Sequence, residues 1–197
     1  MDAEIINKLE EILRNRPPVT ITKEGAYIQA AVMMILTYGI DGVSLLFIKR
    51  PENDKDPFSG HMAFPGGKRK QSDESRLETA MRETYEEIGV DLNGIARVLG
   101  TLDDINPNNP RANHYIVTPY LCYLHEEVEF KPDAHEVEEV LWVPIEHLRD
   151  DNNRMVRPRE RDGKQIEDYV YNYGQYIIWG MTGRIVNQFL SFTEDVL

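Results

Sequence analysis

The most constraining feature of the sequence is an acidic segment that opens with Gly66 and Gly67 and closes with Gly89. Glycine allows tight bends and close approach of the backbone to a ligand. Ser72 or Asp73 can cap a helix that starts after the glycines, and Gly89 can end it in the left-handed conformation. The segment therefore predicts a glycine loop followed by one helix.

The predicted helix has two different faces. At about 100° per residue, one side carries small or apolar residues and the opposite side carries three carboxylates. The first set is Leu77, Met81, Thr84 and Ile88, and the second is Glu83, Glu86 and Glu87. Arg82 can pair with Glu78 or Glu86 at helical spacing, but one arginine does not neutralise three acids. The acidic face therefore predicts a bound cation, with a solvated surface as the alternative.

Carboxylate oxygens are ligands that Mg²⁺ and Mn²⁺ prefer, and these ions commonly accompany phosphate groups. A glycine turn with free N–H groups beside such an ion suits a diphosphate. The segment therefore indicates a Mg²⁺ or Mn²⁺ site next to a phosphate-binding turn.

The segment resembles the Nudix box, G-x5-E-x7-R-E-U-x-E-E-x-G-U with U aliphatic, the signature of Mg²⁺-dependent hydrolases of nucleoside diphosphate derivatives. The matching residues are Glu74, Arg82, Glu83, Glu86, Glu87, Gly89 and Val90. Thr84 replaces the aliphatic residue after Arg-Glu, and the loop from Gly67 to Glu74 is one residue longer than the pattern. Either Asp73 or Glu74 can therefore hold the first acidic position.

The resemblance implies a role for each residue of the box. Glu83 and Glu87 would be the principal metal ligands, with the carbonyl of Gly67 completing the shell. Glu86 would be a further ligand or would orient the attacking water. Arg82 would position these carboxylates for catalysis.

The general base lies outside the box in this interpretation. Glu136 is the first candidate, and an exposed position in the acidic run 136–139 is the equal alternative. His61 and His114 are weaker candidates, because a lone histidine in or beside a strand is usually packed or exposed to solvent.

Two further stretches, 45–50 and 60–67, are similar to the L-L-T-x-R and G-x3-F-P-G-G elements of the coenzyme A diphosphatase branch of this family. They imply that Arg50, Gly66 and Gly67 bind substrate. The positions that depart from the branch pattern are Phe47, Lys49, Asp56 and Phe58. Coenzyme A or a derivative is the best candidate substrate, and these departures leave another dinucleotide-like diphosphate open.

The predicted activity is hydrolysis of a P–O–P linkage in a small-molecule nucleoside diphosphate derivative. One alternative is a housecleaning nucleoside triphosphate pyrophosphohydrolase or an ADP-sugar or dinucleotide pyrophosphatase. The alternative of another class is a sensor domain that binds a diphosphate metabolite without cleaving it. The presence of all three box glutamates disfavours the sensor.

Charge and hydropathy argue against other classes of function. The net charge of −12 over 197 residues opposes nonspecific binding to nucleic acid or anionic membranes. The apolar run 30–36 is far shorter than the ~20 residues of a membrane span. Cys122 is the only cysteine, which suits a reducing compartment. We expect a cytoplasmic protein, with a homodimer suggested by family habit.

The sequence predicts one α+β domain over residues 1–197, with a helix at 3–16, a core at about 25–148 and a C-terminal extension at 149–197. The resemblance implies the Nudix fold, a mixed β-sheet sandwiched between helices. The predicted strands are 27–37, 43–49, 61–64, 95–105, 114–124, 127–130 and 137–143.

The extension contains an arginine-rich segment, 150–164, and two periodic patterns. The segment predicts a solvated loop, with a basic flap over an anionic substrate as the alternative; its arginines are Arg154, Arg157, Arg159 and Arg161. Alternating tyrosines over 169–173 predict a strand. Apolar residues at helical spacing over 178–189 predict a closing helix.

Overall fold

A computed structural model gives the arrangement of helices and strands. It describes residues 2–22, 27–40, 42–53, 58–107, 112–161 and 163–197. The helices are α1 (Asp2–Asn15), α2 (Arg76–Ile88), α3 (Ile145–Arg149) and α4 (Gly180–Phe192). The strands are β1 (Ile28–Gly39), β2 (Gly42–Lys49), β3 (Met62–Ala63), β4 (Gly66–Lys68), β5 (Ala96–Thr101), β6 (Tyr115–Leu124), β7 (Glu139–Pro144), β8 (Arg154–Arg161), β9 (Lys164–Tyr173) and β10 (Tyr176–Ile178).

Strands β1 to β7 form one mixed sheet in the described part of the chain. The central strand β1 runs parallel to β6 and antiparallel to β2 and β4. Strand β2 also pairs antiparallel with β3 and with β7, and β5 pairs antiparallel with β6. The two glycines expected in a loop therefore lie in a short strand, β4, held against the centre of the sheet.

Helices cover both faces of this sheet. Successive residues of a strand point to opposite faces, so the nearly continuous apolar run of β1 supplies two cores. Met34 and Leu36 pack on the side of α1 and α4, whereas Met33 and Ile35 pack on the side of α2. The predicted sandwich of a mixed sheet between helices is confirmed, while the extent of the domain over 1–197 stays a prediction.

The loop predicted for the arginine-rich segment is wrong. Residues Arg154–Arg161 form β8, which pairs with β9 in a three-stranded sheet that also contains β10. The sequence signal was missing because β8 lies at the edge of this sheet, and its described side chains show no alternation of buried and exposed positions. The strand predicted from the tyrosines and the closing helix are confirmed as β9 and α4.

The strand predicted at 127–130 is also wrong. After β6 the chain crosses to the C-terminal end of α2, where the N–H groups of Lys131 and Asp133 donate to the carbonyls of Ile88 and Glu87 (2.9 Å each). Its apolar residues, Val128 and Phe130, pack against the α2 side of the core. This segment therefore completes a helix end instead of pairing with a strand.

The remaining differences concern element boundaries. The strand predicted at 95–105 stops at Thr101, and Ile105 makes only an isolated bridge with Val117. The departure at Asp56 lies outside the described residues.

The closing helix docks closely on the second sheet, which gives a test of this packing. A Cβ atom at Gly183 would lie 2.2 Å from the carbonyl oxygen of Tyr169 on β9. We predict that Gly183→Ala lowers the free energy of unfolding by about 1–3 kcal/mol through overpacking, measured by urea denaturation. Gly39→Ala is the control, because its Cβ would meet no atom within 4 Å. Equal effects of the two substitutions would contradict this packing.

Candidate active site

Helix α2 starts and ends at defined capping residues. The hydroxyl of Ser75 accepts a hydrogen bond from the N–H of Glu78 (3.1 Å), so the cap is Ser75 and the expectation of Ser72 or Asp73 is wrong. Gly89 adopts the left-handed conformation with φ of 73°, and its N–H donates to the carbonyl of Tyr85 (2.9 Å), as predicted. Because the caps fix where α2 begins and ends, they also determine which of its residues face β4.

Asp73 is one of the two candidates for the first acid of the segment. It is buried, and its carboxylate accepts hydrogen bonds from the Nε and Nη2 atoms of Arg82, the hydroxyl of Thr79 and the N–H of Lys70 (2.9 Å each). Hydrogen bonds from Arg82 hold the pKa of Asp73 far below its usual range. Glu74 is exposed, so the structure favours Asp73 over Glu74.

Arg82 connects this buried acid to the acidic face of α2. Its Nη1 atom donates to Glu83 (2.7 Å) and to Glu86 (2.9 Å), and its Nη2 atom also donates to the carbonyl of Lys68 (3.1 Å). The hydrogen bonds with Asp73 raise the pKa of Arg82, so the side chain stays charged. One guanidinium therefore orients three carboxylates and ties α2 to β4.

Glu87 is buried at the junction of α2 and β4, although the periodicity predicts an exposed acidic face. It is 1% exposed, and its Oε2 atom accepts a hydrogen bond from the N–H of Gly66 (2.9 Å). Burial raises the pKa of Glu87 to about 8, and the nearest described cation, Arg50, lies 3.8 Å away (Nη1 to Oε1). The prediction that Glu87 is exposed is wrong, because the periodicity of one helix carries no information about the strand, β4, that covers this part of the helix surface.

Glu83, Glu87 and Glu136 bring one carboxylate oxygen each to within 4.8 Å of one another. Glu83 is half-buried and Glu136 is exposed, and burial raises the pKa of Glu83 as well. The three oxygens are hard donors that suit a divalent cation such as Mg²⁺ or Mn²⁺. The structure thus joins Glu136, predicted as a general base, to two predicted metal ligands.

Glu86 lies outside this group of three. Its two oxygens accept hydrogen bonds from the Nζ atom of Lys70 (3.0 and 3.1 Å). Burial alone would raise the pKa of Glu86, but Lys70 and Arg82 outweigh it and lower the pKa. The metal and water-orienting roles of Glu86 stay predictions.

Both glycines of β4 allow close approach of neighbouring groups. A Cβ atom at Gly66 would lie 2.3 Å from the carbonyl oxygen of Ala31, and one at Gly67 would lie 2.5 Å from the carboxyl carbon of Glu83. A side chain at Gly67 would therefore displace a candidate metal ligand. The proposed metal contact of the Gly67 carbonyl stays a prediction.

A cavity of about 580 Å³ lies beside β4. Arg50 and His61 line it, whereas His114 packs against Tyr115 with ring centroids 4.5 Å apart. Its lining also includes residues to which the sequence assigns no site role: Lys68, Asp168, Trp179, Met181 and Thr182. Trp179 is 47% exposed, but an exposed tryptophan cannot be recognised from one sequence. These residues come from the extension and from β4, so only the fold brings them together.

Comparisons with known proteins identify relatives of the chain. A model described as NUDIX domain matches residues 28–162. Nudix hydrolase 15, mitochondrial, from Arabidopsis thaliana is 30% identical over 175 residues, which are 85% of this chain and 59% of that protein. An uncharacterized Nudix hydrolase NudL from Photorhabdus laumondii is 32% identical over 130 residues, covering 66% of this chain and 67% of that one. The chain thus spans about three fifths of the length of the Arabidopsis relative.

A solved structure has the same fold. The MutT/nudix family protein from Enterococcus faecalis superposes with a TM-score of 0.61 at 20% identity, covering 99% of this chain and 75% of that chain. At this identity the likeness speaks for the fold alone. No helix in the described part of this chain is long and apolar enough to cross a membrane.

The buried contact between Asp73 and Arg82 gives a stability test. We predict that Asp73→Asn lowers the free energy of unfolding at pH 7 by about 3 kcal/mol, because it leaves Arg82 without its buried partner. The folded-state pKa of Asp73 is lowered, so its contribution is present above the unfolded pKa of about 4 and is lost as pH falls below it. The difference between variant and wild type should therefore shrink below about pH 4 in urea denaturation.

Glu74→Gln is the matched control for this test. Glu74 is exposed, so we expect this substitution to change the free energy of unfolding by less than about 0.5 kcal/mol. If Glu74→Gln lowers the free energy of unfolding more than Asp73→Asn does, the first acid is Glu74, and the assignment of Asp73 is contradicted.

Proposed function

The chain belongs to the Nudix family, and on that premise we propose that it is a hydrolase that cleaves a P–O–P linkage in a small-molecule nucleoside diphosphate derivative with the help of Mg²⁺ or Mn²⁺. The observation that carries the proposal is the convergence of Glu83, Glu87 and Glu136 beside the glycine strand β4. This site lies within the residues that match the family.

The described residues fit a divalent cation by their charge. Five carboxylates lie at or next to the site: Asp73, Glu83, Glu86, Glu87 and Glu136. The described cations that contact them are Lys70, Arg50 and Arg82. With all groups ionised, two negative charges remain, which one divalent ion would balance. Like charges at this separation are unfavourable without such an ion.

Each proposed ligand is held by a neighbour. Arg82 fixes Glu83, and the N–H of Gly66 fixes Glu87, so both carboxylates are preorganised. A bound divalent ion would lower the pKa of a water molecule and offset charge on the phosphates. Arg50, 3.8 Å from Glu87, is the proposed contact for a phosphate oxygen, together with the backbone of Gly66 and Gly67.

Glu136 is the proposed general base. It is the exposed member of the group of three carboxylates, so it can take a proton from an attacking water and release it to solvent. The same position also suits a third metal ligand. These two roles make different predictions for substitution, which are given at the end of this subsection.

Coenzyme A or a derivative is the proposed substrate. The resemblance of 45–50 and 60–67 to the coenzyme A diphosphatase branch supports it, and the cavity of about 580 Å³ beside β4 has room for part of such a ligand. Of the departures from that branch, Phe47 is fully buried in the core and Lys49 pairs with Glu138 (2.6 Å). Phe58 lines the cavity, where it can alter the choice of substrate.

The cellular setting is proposed from the composition of the chain. Cys122 is buried in the sheet, and burial raises the pKa of its thiol to about 12, so it is an unreactive core residue. A single cysteine, which allows no intrachain disulfide, suits a reducing compartment, and the cytoplasm is the proposed location. A homodimer is the proposed assembly, and light scattering of the purified protein would measure it.

A substrate screen tests the proposed activity. The compounds are coenzyme A, acetyl-coenzyme A, ADP-ribose, NADH, dinucleoside polyphosphates and nucleoside triphosphates, each with Mg²⁺ and Mn²⁺. Cleavage of coenzyme A gives adenosine 3′,5′-bisphosphate and phosphopantetheine, whereas a housecleaning triphosphate enzyme releases inorganic pyrophosphate. Absence of metal-dependent hydrolysis of every compound would contradict the proposal and favour a sensor domain.

Glu87→Gln tests the metal site directly. We predict that kcat falls by more than the roughly 10- to 100-fold typical of losing an outer-shell partner, because the substitution removes a buried ligand charge. The same loss is expected for Glu83→Gln, measured at saturating Mg²⁺. Glu78→Gln, an exposed residue of the same helix, should leave kcat at the wild-type value. A Glu83→Gln/Glu87→Gln double variant with wild-type turnover would rule out this mechanism.

Glu136→Gln separates the roles of base and ligand. As the base, Glu136 is expected to contribute about 10²- to 10⁴-fold to kcat, with the Mg²⁺ concentration for half-maximal activity unchanged and the acidic limb of the pH–rate profile lost. If Glu136 is instead a metal ligand, its substitution would raise the Mg²⁺ concentration needed for half-maximal activity. We predict the first pattern, and recovery of wild-type turnover at high Mg²⁺ would assign Glu136 to the metal.

A further inference from the structure

The first turn of α4 opens onto the cavity beside β4. Gly180, Met181 and Thr182, the first three residues of this 13-residue helix, line the cavity. The N-cap residue, Trp179, makes no side-chain capping bond. Within the described residues, the N–H groups of these three positions have no hydrogen-bond acceptor. Such an uncapped helix start carries a partial positive charge and donors suited to an anion.

Thr182 provides a second, independent sign of a ligand. It is only 6% exposed and lines the cavity. Its hydroxyl makes no hydrogen bond to any residue that the structure describes, and it is not one of the fully enclosed side-chain atoms that lack a partner, so it can reach the cavity. This hydroxyl and the uncapped N–H groups lie in the same helical turn, so one polar ligand group could contact both.

The charged residues of the cavity favour a negative ligand group. Lys68 and Arg50 line it. The Nζ atom of Lys68 lies 5.4 Å from the ring centroid of Tyr115. No carboxylate in the described part of the chain lies within ion-pair distance of this Nζ atom. Asp168 is the one carboxylate among the described lining residues, and it already has an interaction within the chain. Because Arg50 lies against Glu87, Lys68 is the described lining cation that remains for a second negative group.

Residues that line the cavity connect Glu87 to α4 through a short series of contacts. Arg50 lies 3.8 Å from Glu87, and its N–H donates to the carbonyl of His61 (3.0 Å). The ring of His61 lies 4.6 Å, centroid to centroid, from that of Trp179, which immediately precedes α4. A ligand whose diphosphate lies at the carboxylates can thus extend past these rings toward the first turn of α4.

From these contacts we infer that the first turn of α4, with Thr182 and Lys68, binds a second phosphate of the substrate, a monoester outside the linkage that is cleaved. The inference rests on the proposed function. The favoured substrate class is a nucleoside diphosphate derivative that carries an additional phosphate on its ribose. The aromatic pair of His61 and Trp179 would contact the nucleoside between the two phosphate sites.

Direct binding tests this site without turnover. Adenosine 3′,5′-bisphosphate and adenosine 5′-monophosphate differ only in the additional phosphate, and their Kd values can be measured by isothermal titration calorimetry. Wild-type protein should bind the bisphosphate about tenfold more tightly, a difference of about 1.4 kcal/mol. Thr182→Val, which keeps the shape and removes the hydroxyl, should reduce this preference to about threefold or less. Thr182→Ser should retain it, and Ser191→Ala, on an exposed position of α4, is the control.

Turnover of a matched pair completes the test. The ratio of kcat/KM for coenzyme A over its 3′-dephospho form should fall in Thr182→Val, mainly through KM. Equal binding of the two adenosine nucleotides by wild type, or an unchanged preference in folded Thr182→Val, would overturn the inference. If no compound is hydrolysed, the proposed function fails, but the binding comparison still decides whether the phosphate site exists.

Discussion

The candidate site depends on negative charge that the described residues of the chain do not balance. Glu83, Glu87 and Glu136 converge at the junction of α2 and β4, and Arg82 is shared with Asp73 and Glu86. Burial raises the pKa of Glu87 to about 8, which records the free-energy cost of holding this carboxylate away from water. A divalent ion would remove that cost, so the arrangement makes physical sense as a metal site.

The rest of the fold keeps these carboxylates in place. Strand β4 pairs with the central strand β1, so the N–H of Gly66 that fixes Glu87 is attached to the most buried part of the sheet. Ser75 and Gly89 cap the two ends of α2. Asp73 accepts hydrogen bonds from Arg82, which in turn donates to Glu83 on the acidic face. The C-terminal extension adds Asp168 of β9 and the first turn of α4 to the lining of the cavity, which the residues of β4 also line. The metal site and the cavity therefore share a single backbone strand.

Much of this arrangement could be predicted from the sequence, because its signals are local. The glycines, the acidic helix and the helix stop follow from spacing, and the nearly continuous apolar run of β1 predicts a strand buried on both faces. Burial of Glu87 could not be predicted, since it depends on β4 covering one side of α2. Likewise β8 carries no apolar alternation, and its strand conformation depends on pairing with β9. Thr182 and Trp179 reach the cavity only because α4 packs back against the sheet, a long-range contact that periodicity does not encode.

The most direct test of the central claim is a crystal structure of the protein grown with Mn²⁺, with anomalous diffraction used to locate the ion. The account predicts an anomalous peak between the carboxylates of Glu83, Glu87 and Glu136, within metal-ligand distance of an oxygen from at least two of them. A well-ordered site at saturating Mn²⁺ with no ion between these carboxylates, or an ion bound elsewhere in the chain, would contradict it.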